Sequence, residues 1–280
     1  MSAANNGILM GISLSVWSGR KLDKAVSAEV DVAKSTKARA GNYNKNLFAG
    51  VTELEDVRCV GGKIRNWHHD ITSPWADNGD RLLPMSSFMD VKQRIKLFDQ
   101  EFTTAKDTFC DKYAQIISQQ AFTMGALFNR NDYPDIKDIA QKFSLSYTFC
   151  PVPLDWRVDA DEETKRELQE HYQKVYNDRL AGVTKDLWDR LHTCLTHMNE
   201  RLTDVAGEKK IFRDSLMNNA VDLCGLLTKL NIANDPKLEA ARKQLESAIC
   251  NMDIKDLRAD AGARKEVQVQ VDGILKKFSW

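Results

Sequence analysis

Apolar and polar positions alternate at the start of the chain. Ile8, Met10, Ile12, Leu14 and Val16 fall on one side, and Leu9, Gly11, Ser13, Ser15 and Trp17 on the other. A period of two predicts a strand, which Ser18-Gly19 ends. From Leu47 the period changes. Val51, Leu54, Val57, Val60, Ile64, Trp67 and Ile71 recur at threes and fours, the mark of one helix face, with Gly61-Gly62 as an interruption. Ser73-Pro74 and Asn78-Gly79 read as a loop.

The strongest stripe follows. Phe88, Val91, Ile95, Phe98, Phe102, Ala105, Phe109 and Ile116 occupy heptad core positions, broken by Lys112 with Tyr113 beside it. Ser86 or Ser87 caps this helix, with Asp90 nearby. The pattern fades through Ala121, Met124 and Leu127, and the span of 86–128 gives roughly 60 Å of helix. A short helix is expected over 134–143 with Pro134 at its first position. Leu145, Tyr147 and Phe149 then alternate with serine and threonine, a second strand closed by Pro151 and Pro153 and expected to pair with the first.

A second long helix begins near Asp161, with Glu162 and Glu163 favoured by the dipole of its first turn. Leu168, Tyr172, Val175, Tyr176, Leu180, Val183, Leu187, Leu191, Leu195, Met198, Leu202 and Val205 carry its stripe, and Gly207 is a plausible stop. Three shorter helices follow, the first with Ile211, Phe212 and Leu216 through Leu230, the second after Asp235-Pro236. The last segment alternates at Val267, Val269 and Val271, yet its stripe runs on through Ile274 and Phe278, which favours helix. The predicted fold is mainly α: a long antiparallel coiled-coil-like pair formed by 86–128 and 160–206, shorter helices, and a small two-stranded sheet with room for a third strand. One extended domain, or two coupled lobes meeting near residue 155, accommodates these elements.

Composition narrows the class. Forty basic and forty acidic residues cancel, so the whole chain has no bias towards a polyanion. Charge is segregated locally. Between Gly19 and Lys45, Arg20, Lys21, Lys24, Lys34, Lys37, Arg39 and Lys45 outnumber Asp23, Glu29 and Asp31, and the stretch 33–46 has no acid and a loop-like second half. This segment is the candidate phosphate or nucleic-acid contact. Six dispersed cysteines, no basic residue ahead of the first apolar run and no apolar stretch of membrane length predict reduced, mostly buried thiols in a cytoplasmic protein.

No phosphate-binding loop, dinucleotide fingerprint or nucleophile elbow is present. His192, Cys194, His197 and Glu200 resemble a metal cluster, but only His197 and Glu200 share a helix face, so His192, His197 and Glu200 are weak candidate ligands. His68-His69-Asp70 diverge as helix neighbours and suit a helix end. No catalytic residue and no cofactor are expected.

Trp17-Ser18-Gly19-Arg20-Lys21-Leu22, directly after the first strand, resembles the opening of a phage and bacterial domain-of-unknown-function family. Leu83-Pro84 before a Phe-spaced helix, and Leu145 to Phe149 running into Pro151, follow in the same order. The chain departs from the pattern at Asp80-Arg81-Leu82, where glycines and an aromatic are expected. Members are typically encoded beside a MoxR-type AAA+ ATPase and a CobT-like von Willebrand A protein. The resemblance implies a phage-encoded, non-enzymatic adaptor with those partners in the host cytoplasm. Trp17, Ser18, Gly19, Arg20, Lys21, Lys34, Lys37 and Arg39 are the candidate contact residues. Nucleic acid and a second copy of the chain are the alternative partners.

Overall fold

The structure is a computed structural model that describes residues 6–76, 79–152, 161–203, 215–250, 257 and 260–278. Expectations at Asn78, Pro153, Val205, Gly207, Ile211 and Phe212 lie outside the described residues. The chain is mainly helical with small sheets. The strands are β1 (Gly7–Ser15), β2 (Arg20–Leu22), β3 (Asn44–Asn46), β4 (Ser73–Pro74), β5 (Arg81–Pro84) and β6 (Ser144–Pro151). The helices are α1 (Lys24–Ala33), α2 (Thr52–Ile71), α3 (Phe88–Thr123), α4 (Ile136–Ala140), α5 (Glu162–Leu202), α6 (Ser215–Leu230), α7 (Pro236–Ile249) and α8 (Ala261–Lys277). One sheet has four strands in the order β4-β5-β1-β6, so β1 and β6 are neighbours as the sequence predicts; β2 and β3 form a second pair.

Two compact units emerge. One comprises described residues from 1–11, 69–90 and 148–280, the other from 12–68 and 91–147.

The first unit is built around the C-terminal half of α5. Val183, Leu187, Leu191, Leu195, Met198 and Leu202 are all buried. They pack with α6, α7 and α8, whose buried faces include Leu216, Leu227, Leu238, Leu245, Val267, Val271 and Ile274. The valines at 267 and 271 therefore serve a helix. Polar anchors fix the helix starts: Asp161 accepts from the Thr164 N–H at 2.9 Å, and Asp235 caps α7 while accepting from the Trp188 indole at 3.0 Å. Leu9 and Leu82, opposite each other in the antiparallel β1–β5 pair, join Trp75, Val183 and Ile232 in a smaller cluster.

The second unit buries the α3 stripe. Val91, Ile95, Phe98, Phe102, Phe109, Tyr113 and Ile116 are inside, with Leu54, Val57 and Ile64 of α2. Phe48 is the aromatic hub. It meets Trp17, Phe109 and Tyr133 edge to face, at centroid separations of 5.1, 5.4 and 5.6 Å. Gly61 does not interrupt α2. A Cβ there would lie 3.2 Å from a Leu14 methyl and 3.3 Å from a Val16 methyl, so the glycine admits the end of β1.

Three expectations are corrected, and the antiparallel pairing of the two long helices is not confirmed: α5 packs on α6, α7, α8 and β4. Ser73-Pro74, read as loop, forms β4, and Arg81–Pro84 beyond it forms β5, because Leu82 and Leu83 find register opposite Leu9 and Ile8. Pro134 precedes α4, whose cap is Asp135. The six cysteines are unpaired, but only Cys224 is buried; Cys59, Cys150 and Cys250 are exposed.

The two halves of α5 differ sharply, and this difference is measurable. Leu191 is fully buried, whereas Leu168 is only half-buried. Leu191→Ala should cost about 3 kcal/mol in urea unfolding, and Leu168→Ala less than about 1 kcal/mol at low protein concentration. Equal losses would contradict this division of the helix.

Candidate functional site

Residues 17–22 form a corner leading from β1 into β2. Trp17 meets Phe48 edge to face, and the Lys142 ammonium lies 5.3 Å from the indole centre. The Ser18 carbonyl accepts from the Arg58 guanidinium. Gly19 has φ +59, and a Cβ there would sit 2.8 Å from the Phe48 ring and 3.0 Å from a Leu54 methyl. Its carbonyl accepts from the Leu47 N–H at 2.8 Å. Glycine is required twice over, for backbone conformation and for space. The distinctive string is thus a folding corner, and Trp17, Ser18 and Gly19 are spent on it.

From this corner the chain makes a basic hairpin. Strand β2 runs antiparallel to β3, with Lys21 opposite Lys45, and α1 lies between them in sequence. The stretch was expected to be loop at its second half; α1 went unread because Ser27 is its only buried residue. Polar bonds order the hairpin instead. Asp23 caps α1 through the Ala25 and Val26 N–H groups, both at 3.1 Å. Ser27 Oγ donates to the Asp23 carbonyl at 2.6 Å and accepts from the Tyr43 N–H at 2.9 Å. Asp31 accepts from the Ala40 N–H at 3.3 Å.

A charge cluster fastens the hairpin to the turn before α4. Buried Lys45 contacts Asp132 at 2.5 Å and Asp23 at 3.0 Å, and donates to the Leu127 carbonyl at 3.2 Å. Lys21 contacts the other Asp132 oxygen at 2.8 Å. Burial disfavours the Lys45 charge, but the two carboxylates outweigh it and hold its pKa above the ordinary lysine range. Burial likewise opposes the Asp132 charge, and the two lysines overcome it, leaving its pKa below the usual carboxylate range. Asp23 is lowered by Lys45 first and by the α1 N–H groups second.

Lys21 is therefore engaged inside the unit. Arg20, Lys34, Lys37 and Arg39 are exposed, as is Lys24. Apolar side chains are exposed among them. Val32 is 79% exposed and Val30 51%, with Leu22 and Tyr43 also at the surface. Sequence reasoning found the basic residues and missed these valines; the helix signal was the N-cap at Asp23, while the i,i+2,i+4,i+6 run of Val26, Ala28, Val30 and Val32 has a strand's period.

The first unit holds a cleft of about 870 Å³ between α5 and α6 at the end of α2. Arg190 shapes it. Its guanidinium donates to the carbonyls of His69, Asp70 and Thr72 at 2.9, 2.8 and 2.7 Å and contacts Asp186 at 3.0 Å. Arg81 adds bonds to the Thr72 hydroxyl and carbonyl at 2.7 and 3.0 Å. Two arginines thus satisfy the carbonyls that a helix C-terminus leaves open. His68-His69-Asp70 take their place as a helix end, with His68 buried. Burial pushes the Cys194 thiol on the cleft wall up to about 11, so it is protonated near neutral pH and is a poor nucleophile. His197 accepts from Arg201 at 3.3 Å. Among the described residues no three His, Cys, Asp or Glu side chains are grouped to hold a metal, so His192, His197 and Glu200 are not brought together as ligands. No described helix is long and apolar enough to cross a membrane.

Comparison of the chain with protein-family models, curated proteins and solved structures finds no match.

Two outcomes follow from the corner and its charge cluster. Gly19→Ala should lower stability by more than about 1 kcal/mol, through both the positive φ and the Phe48 clash, as read by the thermal midpoint. Asp23 and Asp132 have lowered folded pKa values. Their stabilisation is present above the unfolded value of about 3.9 and is lost as pH falls through the lower folded values. The urea midpoint of the wild type should exceed that of Asp132→Asn near neutrality, and the gap should close below about pH 4. A gap independent of pH would mean that Asp132 acts by packing alone.

Proposed function

We propose that this protein is a non-enzymatic interaction protein that docks a partner protein on the basic hairpin. The observation that carries the reading is the exposure of Val30, Val32, Leu22 and Tyr43 on an ordered segment, beside Arg20, Lys24, Lys34, Lys37 and Arg39. Exposed apolar groups clustered on an otherwise polar surface mark contact sites. Tyrosine and arginine are enriched at protein interfaces. A polyanion would use the cations alone and gain nothing from two exposed valines, and Glu29 and Asp31 on the same helix would repel it. A partner surface with apolar and acidic groups suits the hairpin better than nucleic acid does.

The resemblance of the 17–22 string supports a phage-encoded adaptor whose partners are a MoxR-type AAA+ ATPase and a von Willebrand A protein. The test uses those two proteins from the same genome. The immobilised wild-type chain should retain at least one of them. Val30→Asp with Val32→Asp should weaken retention by tenfold or more without moving the thermal midpoint, since both side chains are exposed. Failure of the wild type to retain either protein would overturn the adaptor reading. Binding to single-stranded DNA that falls steeply with salt, and that is lost in Lys34→Glu with Lys37→Glu and Arg39→Glu, would move the assignment to nucleic acid.

A further inference from the structure

The cleft of about 870 Å³ between α5 and α6 has no part in the docking role of the hairpin. Its walls come from successive turns of the two helices. On α5 they run from Asp186 to Met198, about 18 Å of helix. On α6 they run from Leu216 to Leu226. The floor is apolar. Met198 and Leu216 are buried in the core beneath, and Cys194, Leu223 and Leu226 are the partly buried outer layer of that core. A groove of this length matches about three turns of a further helix, with its apolar face on the floor.

The walls are acidic. Asp70, Asp186, Asp189 and Asp222 stand on them, against Arg190. Arg190 pairs with Asp186 and directs its other donors to the carbonyls at the end of α2. Asp70, Asp189 and Asp222 are exposed, and among the described residues no basic side chain pairs with them. Carboxylates around one depression add their fields, and apolar walls focus that field. An anionic ligand is repelled from such a place, nucleic acid and acidic lipid included. Among the described residues no three acids, histidines or cysteines are grouped to hold a free divalent ion. A ligand that carries cations beside apolar groups satisfies both the walls and the floor.

We propose that this cleft is a second docking site, which takes a basic amphipathic helix of a partner protein. The apolar side chains of that helix lie on Cys194, Leu223 and Leu226. Lysine or arginine on its flanks faces Asp70, Asp189 and Asp222. The site does not rest on the docking role of the hairpin. The hairpin offers cations to an acidic surface, and the cleft offers carboxylates to a basic one, so the two select different partners.

Fluorescence anisotropy of the full chain tests it, with a labelled peptide of lysine and leucine that is three helical turns long and has its leucines spaced by three and four. The wild type should bind this peptide. Asp189→Lys with Asp222→Lys should weaken binding by tenfold or more with an unchanged thermal midpoint, because both side chains are exposed. The same variant should gain affinity for a peptide with glutamate in place of lysine, because reversal on both sides restores the match. Serine in place of the peptide's leucines should also cost tenfold or more. Val30→Asp with Val32→Asp should leave binding intact, so failure here and failure of the hairpin's docking role are distinguishable. A wild type that does not bind the leucine peptide overturns the proposal. Binding that survives Asp189→Lys with Asp222→Lys, or that the serine peptide equals, also overturns it, since charge elsewhere on the surface then suffices. Dimerisation of the wild type that the peptide competes away would make the occupant a second copy and overturn the assignment to a partner protein.

Discussion

Leu187, Leu191 and Leu195 lie fully buried on one face of α5, and the C-terminal helices are assembled around them. Each such side chain contributes about 1.5–3 kcal/mol when removed from water, and α6, α7 and α8 close the same core by packing on α5 and on one another. The α5 stripe is also what the cleft depends on, because the same turns of helix that bury Leu187 and Leu191 present Asp186 and Arg190 to the end of α2. Arg190 satisfies three open carbonyls at once. Its substitution would remove the Arg190 donor from all three, leaving the Thr72 carbonyl to Arg81, a larger penalty than the loss of a surface ion pair.

The other unit rests on a different device. Phe48 collects aromatic neighbours, and its ring closes the space above Gly19. That contact fixes the corner, the corner sets β2 against β3, and the pairing brings Lys45 to Asp23 and Asp132. A buried lysine between two carboxylates is poor evidence of net stability, since desolvation offsets most of the attraction. It is better evidence of specificity. A hairpin that buries only Ser27 of its helix has almost no apolar contact to choose its position, and the charge cluster makes that choice.

Legibility in the sequence followed the amount of apolar burial. The α3 and α5 stripes were readable because each buries a run of large side chains, and β1 because its second half separates apolar from polar positions. The terminal helix was separable from a strand only because Ile274 extended the helical face. Helix α1 was hidden for the converse reason. Strands β4 and β5 are two and four residues long, and register with β1 rather than local pattern defines them. A Leu or Phe stripe states that a face needs cover, not which surface supplies it, so α6, α7 and α8 were not legible as the cover of α5. At the candidate site, the cations of 20–39 were visible as charges. Their division into spent and exposed groups was not, since Asp132 is far away in sequence from Lys21 and Lys45.

Val30 and Val32 show how the polar devices and the surface are connected. An apolar side chain left in water forgoes the stabilisation that burial would contribute, so a helix held only by its valines would have turned them inward. In the basic hairpin that pressure is relieved, because Asp23, Ser27, Asp31 and Lys45 supply the order through hydrogen bonds and charge. The valines are then free to point outward without the segment melting. Order without burial is the condition for a preformed docking surface, since a partner need not supply the entropy of folding it.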